Sequence, residues 1–320
     1  MRALILGYTS IVARRVLPAM ALCDGIDVVD IASRSKSPPP DRPKPGAVFS
    51  SYEEALARSD AQLVYVSLPN SEHVRLVLAC LAAGKHVIVD KPAALALADT
   101  EKCLEEAKQR SLLLAEATVF SHHPQVAALR AFADEIGPLT HISARLIIPP
   151  MPAENFRNIR ALGGGCLLDM GPYAAAVARL FAPEPLVSLA ACAALESATF
   201  DVDVGFSVLA RFADGIRYSG EFSFESEYQN RLELVGARGS VSVERIFSMP
   251  PDMAPVWHVR QANKPREVVH APADAFRHFL EAAMAAIDTG AVGGFAADML
   301  GDARFRETIS DSLALWSSKT

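Results

Sequence analysis

Three features are missing from this sequence: an apolar run long enough to span a bilayer, a paired set of cysteines, and an excess of positive charge. A spanning helix needs about 18 or more consecutive apolar residues. The first ten residues (MRALILGYTS) also lack the layout of a secretion signal, since their short apolar stretch leads straight into a loop. The five cysteines (Cys23, Cys80, Cys103, Cys166, Cys192) are scattered, with no C-x-x-C pair and no adjacent histidine. That pattern suits a reducing cytoplasm better than a disulfide framework or a zinc site. His122 and His123 are neighbours whose side chains diverge, with no third ligand close by, so no metal is expected. With 31 Lys and Arg against 37 Asp and Glu, the net charge is −6. Neither nucleic acid nor an anionic membrane is therefore expected as the main partner, although a local basic spot can still hold a small anion.

What is present is ample apolar material. Hydrophobic residues make up 51% of the chain, which excludes intrinsic disorder. A length of 320 residues exceeds the roughly 250–300 that one core serves, so two domains are expected, over 1–120 and 121–320. In the first, short apolar runs at 3–6, 26–32, 63–68, 86–89 and 112–115 read as buried parallel strands. Helical spacing at Ile11, Val12, Val16, Leu17 and Met20, and over 73–83 and 98–109, separates them. This is the α/β pattern of a Rossmann-type doubly wound sheet. From about residue 139 longer strands follow, at 140–148, 202–212, 216–224, 231–236 and 240–245, and an amphipathic helix at 274–288. These predict an α+β domain with a mostly antiparallel open sheet.

In a doubly wound sheet the ligand crevice lies beyond the carboxyl ends of the strands. The first turn reads Gly7-Tyr8-Thr9-Ser10-Ile11-Val12, keeping only the first glycine of G-x-G-x-x-G. Gly7, Thr9, Ser10 and Ile11 are still candidates to receive a pyrophosphate, because a helix N-terminus offers free N–H groups and the two hydroxyls add donors. The second strand ends in Ser33-Arg34-Ser35-Lys36, with no carboxylate for a ribose 2′-hydroxyl. Ser33, Arg34 and Lys36 therefore favour NADP(H) over NAD(H), since a guanidinium suits a 2′-phosphate. Asp30 falls three residues too early and reads as structural. The proline-rich stretch 37–45 reads as an extended, mobile loop beside the adenosine pocket.

Several motifs together resemble the Gfo/Idh/MocA oxidoreductases. They are Val64-Tyr65-Val66-Ser67-Leu68-Pro69-Asn70 with His73; Ala83-Gly84-Lys85-His86-Val87-Ile88-Val89-Asp90-Lys91-Pro92; Glu116 with His123-Pro124-Gln125; Asn155-Phe156-Arg157; and Gly163-Gly164-Gly165-Cys166-Leu167-Leu168-Asp169-Met170-Gly171-Pro172-Tyr173. The stretch from Phe222 to Leu234, with Tyr228, Asn230 and Arg231, is similar to the strand pair of nucleotide-sugar (dTDP-hexose) 3-ketoreductases within that family. The resemblance implies an enzyme that reduces a keto group, at C3, on a nucleotide-linked deoxysugar. The alternatives are a dehydrogenase of a free sugar or cyclitol, and a cofactor-sensing regulator without catalysis.

The resemblance also assigns roles. Leu68, Pro69, Asn70, His73, Asp90 and Lys91 would lie along the cofactor, and Lys91 near the reacting carbon. Asp90 stands where the family has glutamate, so its shorter arm puts a cofactor contact in doubt. Lys91, Asp169 and Tyr173 form the catalytic set. Asp169 and Tyr173, four residues apart, share a helix face. A tyrosine phenol, with a pKa of about 10, holds its proton at neutral pH and suits a general acid. Glu116, His123, Arg157, Tyr228 and Arg231 are the substrate contacts. The resemblance implies a homodimer or homotetramer through the C-terminal sheet.

Overall fold

The computed structural model describes residues 1–34, 37–196 and 199–317. The chain forms two compact units, Met1–Val119 with Phe276–Leu300, and Phe120–Ala275 with Gly301–Thr320. Among the described residues no helix is long and apolar enough to cross a membrane.

The first unit is built on six strands: β1 (Arg2–Leu6), β2 (Val28–Ala32), β3 (Pro45–Phe49), β4 (Leu63–Val66), β5 (His86–Val89) and β6 (Leu114–Glu116). They pair in parallel in the order β3-β2-β1-β4-β5-β6, so the order reverses between β1 and β4. Successive side chains of a strand point to opposite faces. Ala3 and Ile5 accordingly join one buried cluster, and Leu4 and Leu6 another. A π-helical turn over Val12–Val16 runs into α1 (Leu17–Leu22); α2 (Tyr52–Arg58), α3 (Asn70–Ala82) and α4 (Leu97–Gln109) follow.

Two elements here were not expected, β3 and α2. Strand β3 is a short edge strand that starts at proline and is largely exposed, so it carries almost no apolar signal. The preceding loop turns at residues 40–41, bends at 43–44 and is tied down, which corrects its reading as extended and mobile. Arg42 donates to the carbonyls of Pro39 (3.3 Å) and Gly46 (2.6 Å), and Lys44 Nζ to those of Cys23 (2.7 Å) and Ile26 (2.5 Å). Asp30 is buried, accepting hydrogen bonds from Arg2, the Ala47 N–H and Ser59. Its role is structural, as its position implied.

The expected uninterrupted domain over 121–320 needs a correction. Helix α7 (Ala275–Thr289) contributes Phe276, Phe279, Leu280 and Ala283 to the buried cluster of Ala3, Ile5, Val16 and Met20. Its apolar face completes the first unit.

The second unit carries α5 (Pro124–Glu135), β7 (Leu139–Ile147), α6 (Cys166–Phe181), β8 (Leu186–Glu196), β9 (Asp203–Phe212), β10 (Arg217–Ser223), β11 (Gln229–Gly236), β12 (Gly239–Glu244), β13 (Val256–Gln261) and β14 (Lys264–Val269). Helix α8 (Gly293–Ser317) ends in this unit. The sheet order is β14-β13-β12-β11-β7-β10-β9-β8, antiparallel except for the β7–β10 pair. Met170, Ala174, Val177 and Phe181 of α6 share a buried cluster with Ile142, Leu146, Phe206 and Phe222 from one sheet face.

The start of α6 is set by two residues from different parts of the unit. Gly165 has φ +121°, and a Cβ there would come 2.3 Å from Asp203 Oδ1. Glycine leaves the helix without a side-chain cap, and Asp203 of β9 supplies one by accepting from the Leu167 N–H at 2.6 Å. Burial pushes the Asp203 carboxyl above its ordinary range, while hydrogen bonds from the Leu167, Asp203 and Cys166 backbone and the charge of Arg160 pull it back. Asp203→Ala should cost about 1 kcal/mol, as for a lost cap, and Gly165→Ala about 1–3 kcal/mol from strained backbone. Urea unfolding checks both; unchanged midpoints would show that α6 does not depend on this contact.

Candidate active site

In the first unit the candidate residues gather where β1, β4 and β5 end. Gly7 has φ +100°, and a Cβ there would lie 2.0 Å from the Ser67 carbonyl, so β1 can turn beside β4 only as glycine. The helix that follows runs unbroken from residue 10 to 22. Thr9 does not aim its hydroxyl outward for a phosphate. It accepts from the Val12 N–H (3.4 Å) and meets Ser67 Oγ at 2.8 Å. Ser67 in turn donates to Asp90 Oδ2 (2.5 Å), and Tyr65 donates to Asp90 Oδ1 (2.7 Å). The donations run one way, from the first turn to the carboxylate. The short acid at position 90 is thus held by its own sheet. Ser10 is exposed and Ile11 half-buried at the start of the helix.

Lys91 follows Asp90 and is half-buried. The next two residues are also fixed. His73 is fully buried, with Nδ1 2.8 Å from the Pro92 carbonyl and Nε2 2.9 Å from that of Leu68. Glu116 accepts from the Ala93 N–H (2.7 Å) and from Thr118 Oγ1 (2.9 Å). These contacts revise two expectations. His73, read as a cofactor contact, and Glu116, read as a substrate contact, both place the Lys91 segment. Leu68 and Pro69 are half-buried and Asn70 is buried at the first turn of α3.

The candidates for a 2′-phosphate lie just beyond β2. Ser33 N–H bonds the Phe49 carbonyl (3.0 Å), and the exposed Arg34 guanidinium lies 4.4 Å from the centroid of the Tyr52 ring. The one carboxylate in the last part of β2, Asp30, is occupied in the core as described. Lys36 lies outside the described residues.

In the second unit, Asp169 and Tyr173 occupy successive turns of α6 as the spacing predicts. Arg157 Nε lies 3.0 Å from Asp169 Oδ1, which brings a candidate substrate contact to a candidate catalytic residue. The half-buried Tyr173 ring sits between Phe120 (5.8 Å) and Phe247 (5.4 Å), which contact each other at 5.1 Å. Phe247 is anchored by Asn230: its N–H donates to Asn230 Oδ1 (3.1 Å), while Asn230 Nδ2 donates to Tyr228 (3.0 Å) and Ser248 (2.9 Å). Tyr228 thereby joins the surroundings of Tyr173. Phe120, Phe247 and Asn230 were not singled out as site residues. Asn230 had a signal, standing between two chosen residues in the motif, but only strand alternation tells which side chain faces α6.

That alternation also corrects Arg231. Its neighbours Asn230 and Leu232 are buried on the α6 side, and Arg231 projects from the opposite, open face, 3.8 Å from Glu244. His123 is buried and caps α5, accepting from the Gln125 N–H at 3.1 Å, rather than standing open to a substrate. Burial pushes the thiols of Cys80 and Cys103 up to about 12 and about 11, which makes them core residues and not nucleophiles. Among the described residues no group of three His, Cys, Asp or Glu side chains is placed to hold a metal ion.

Comparison with known proteins gives one consistent answer. Residues 1–118 match the oxidoreductase family with an NAD-binding Rossmann fold, and residues 127–242 the GFO/IDH/MocA C-terminal domain. A dTDP-3,4-didehydro-2,6-dideoxy-α-D-glucose 3-reductase from Saccharopolyspora spinosa is 34% identical over 264 residues, 80% of this chain and 78% of its own. One from Actinomadura kijaniata is 32% identical over 89% of this chain and 87% of its own. The structure of a 3-ketoreductase from Actinomadura kijaniata with NADP and TDP-benzene superposes with a TM-score of 0.89, at 30% identity and 98% coverage of both chains. The chain belongs to the Gfo/Idh/MocA family of oxidoreductases.

Proposed function

We propose that this protein is an NADPH-dependent reductase of a keto group, at C3, on a nucleotide-linked deoxysugar, with Tyr173 as the proton donor. The observation that carries the reading is Tyr173 on α6, framed by Phe120 and Phe247, with the Asp169–Arg157 pair one turn earlier. The 3-ketoreductase relatives agree with it.

Bound NADPH supplies the hydride. The chain's own residues supply the rest. A carbonyl that gains hydride becomes an alkoxide, which needs a proton and, while charge develops, a positive group. The Tyr173 phenol delivers that proton and recovers it from solvent afterwards. Asp169 is matched to Arg157 and so serves to orient that guanidinium and the helix turn, leaving the proton donation to Tyr173. The Lys91 ammonium is the group for the developing charge, and Tyr65, Ser67, His73 and Glu116 hold its segment in place. A cofactor-sensing regulator has no use for a proton donor framed in this way.

The compartment we propose is the cytoplasm. We also propose that two copies meet through the open face of the eight-stranded sheet. That face carries exposed Leu209 beside a ladder in which Glu221 pairs with Arg145 (2.7 Å) and Glu244 with Arg231 (3.8 Å). Arg145 stands directly opposite Arg231, so the row reads acid, base, base, acid across four strands.

Tyr173→Phe should lower kcat by about 10²–10⁴ with NADPH affinity within a factor of about two; a retained rate would remove Tyr173 as the acid. Titrating NADPH and NADH against the protein should favour NADPH, and equal affinities would mean that Arg34 does not meet a 2′-phosphate. Sedimentation velocity should give a dimer or tetramer that Leu209→Glu weakens. A monomer at all concentrations would rule out the sheet-face contact.

A further inference from the structure

The adenosine end of the first unit holds a charge arrangement that the proposed reaction does not use. Glu53, in the first turn of α2, directs one carboxylate oxygen at two guanidinium groups: Oε1 lies 3.5 Å from Arg34 Nη2 and 3.4 Å from Arg75 Nη1. The ends of this bridge are fixed. Glu53 Oε2 accepts from Ser51 Oγ at 2.8 Å, Arg75 Nη2 bonds Glu72 on its own helix at 2.6 Å, and Arg34 lies over the Tyr52 ring. Burial raises the Tyr52 phenol above its ordinary range against the pull of Arg34, so the ring stays a neutral platform. The contacts to Glu53 are long, and Arg34, Glu53 and Arg75 are 54%, 61% and 50% exposed. Pairs that exposed hold weakly. A single carboxylate oxygen therefore occupies the point on which two cations converge, where a dianionic phosphate would be held by both and in shorter contact.

We propose that Arg75 is the second cation for the 2′-phosphate of the dinucleotide, and that Glu53 occupies that position in the free protein and sets the discrimination between NADPH and NADH. This rests on the NADP(H) reading above. Arg75 comes from α3 and Arg34 from the end of β2, so the phosphate would be gripped from two elements whose separation the sheet fixes. When the phosphate enters, Glu53 is displaced and remains held by Ser51. NADH has no phosphate at that position and leaves Glu53 where it is. The carboxylate thus costs NADPH some affinity and leaves NADH unaffected, while Arg75 returns more than is lost.

Isothermal titration of the full-length protein with NADPH and with NADH, without substrate, tests this on the parent and on Arg75→Ala, Arg75→Lys and Glu53→Gln. Arg75→Ala should weaken NADPH about tenfold and change NADH less than about twofold, and Arg75→Lys should recover most of the loss. Glu53→Gln should tighten NADPH severalfold with NADH unchanged. Equal weakening of both nucleotides by Arg75→Ala, or an NADPH/NADH ratio that Glu53→Gln leaves untouched, would overturn the proposal while the cofactor reading stands. A parent protein that binds both nucleotides equally would end both.

Discussion

The constraint on which the first unit turns is the immobilisation of residues 90–93. Strand β5 ends there, and a chain leaving a sheet is free to follow many paths. Four side chains from three elements and one adjoining residue remove that freedom: Tyr65 of β4 and Ser67 just beyond it on Asp90, His73 of α3 on Pro92, Glu116 of β6 on Ala93. A lysine carries a flexible four-carbon stem, and its ammonium can be aimed only if its backbone is fixed. The same contacts reach Thr9 through Ser67, so the turn after β1 and the segment after β5 are set relative to each other by side chains and not only by the sheet ladder. The position of Gly7 beneath Ser67 completes that joint.

The two ends of this unit follow different rules. Around Lys91 the polar contacts are buried or half-buried and short. Beside Arg34 the contacts of Glu53 to Arg34 and Arg75 are exposed and long, between charges that solvent already screens. On the proposed placement, a dinucleotide would meet a preformed surface beside Lys91 and an exchangeable one beside Arg34. Affinity and discrimination can be tuned at the second without disturbing the first.

Much of this was legible in the sequence, and what was not has definite causes. Strands β4 and β5, helix α3 and the glycine after β1 follow from apolar periodicity and from the position of Gly7. Strand β3 escaped because an exposed edge with proline has no periodicity to read. Strand β14 escaped for a similar reason, being exposed over most of its length, and its hairpin with β13 turns through Ala262 and Asn263 at φ 49° and 61°, where alanine gives no turn signal. Among the candidate site residues, the helix spacing of Asp169 and Tyr173 was readable, and Arg157 pairs with Asp169 beside α6. Arg231 was misplaced because a motif records which residues are present and not which face each strand presents. Asp203 and Phe120 were invisible because their value lies wholly in what they touch across distant parts of the chain.

The return of α7 to the first unit has a consequence for how the molecule is made. The apolar side of the parallel sheet, with Ala3, Ile5, Val16 and Met20, is closed by Phe276, Phe279 and Leu280. A ribosome adding about 5–20 residues per second reaches that cover roughly ten to thirty seconds after the last strand of the sheet has been made. Through that interval the nascent sheet has one half-covered face, so the cofactor-binding unit is the first begun and among the last completed. A fragment ending at residue 119 would remain in that condition permanently.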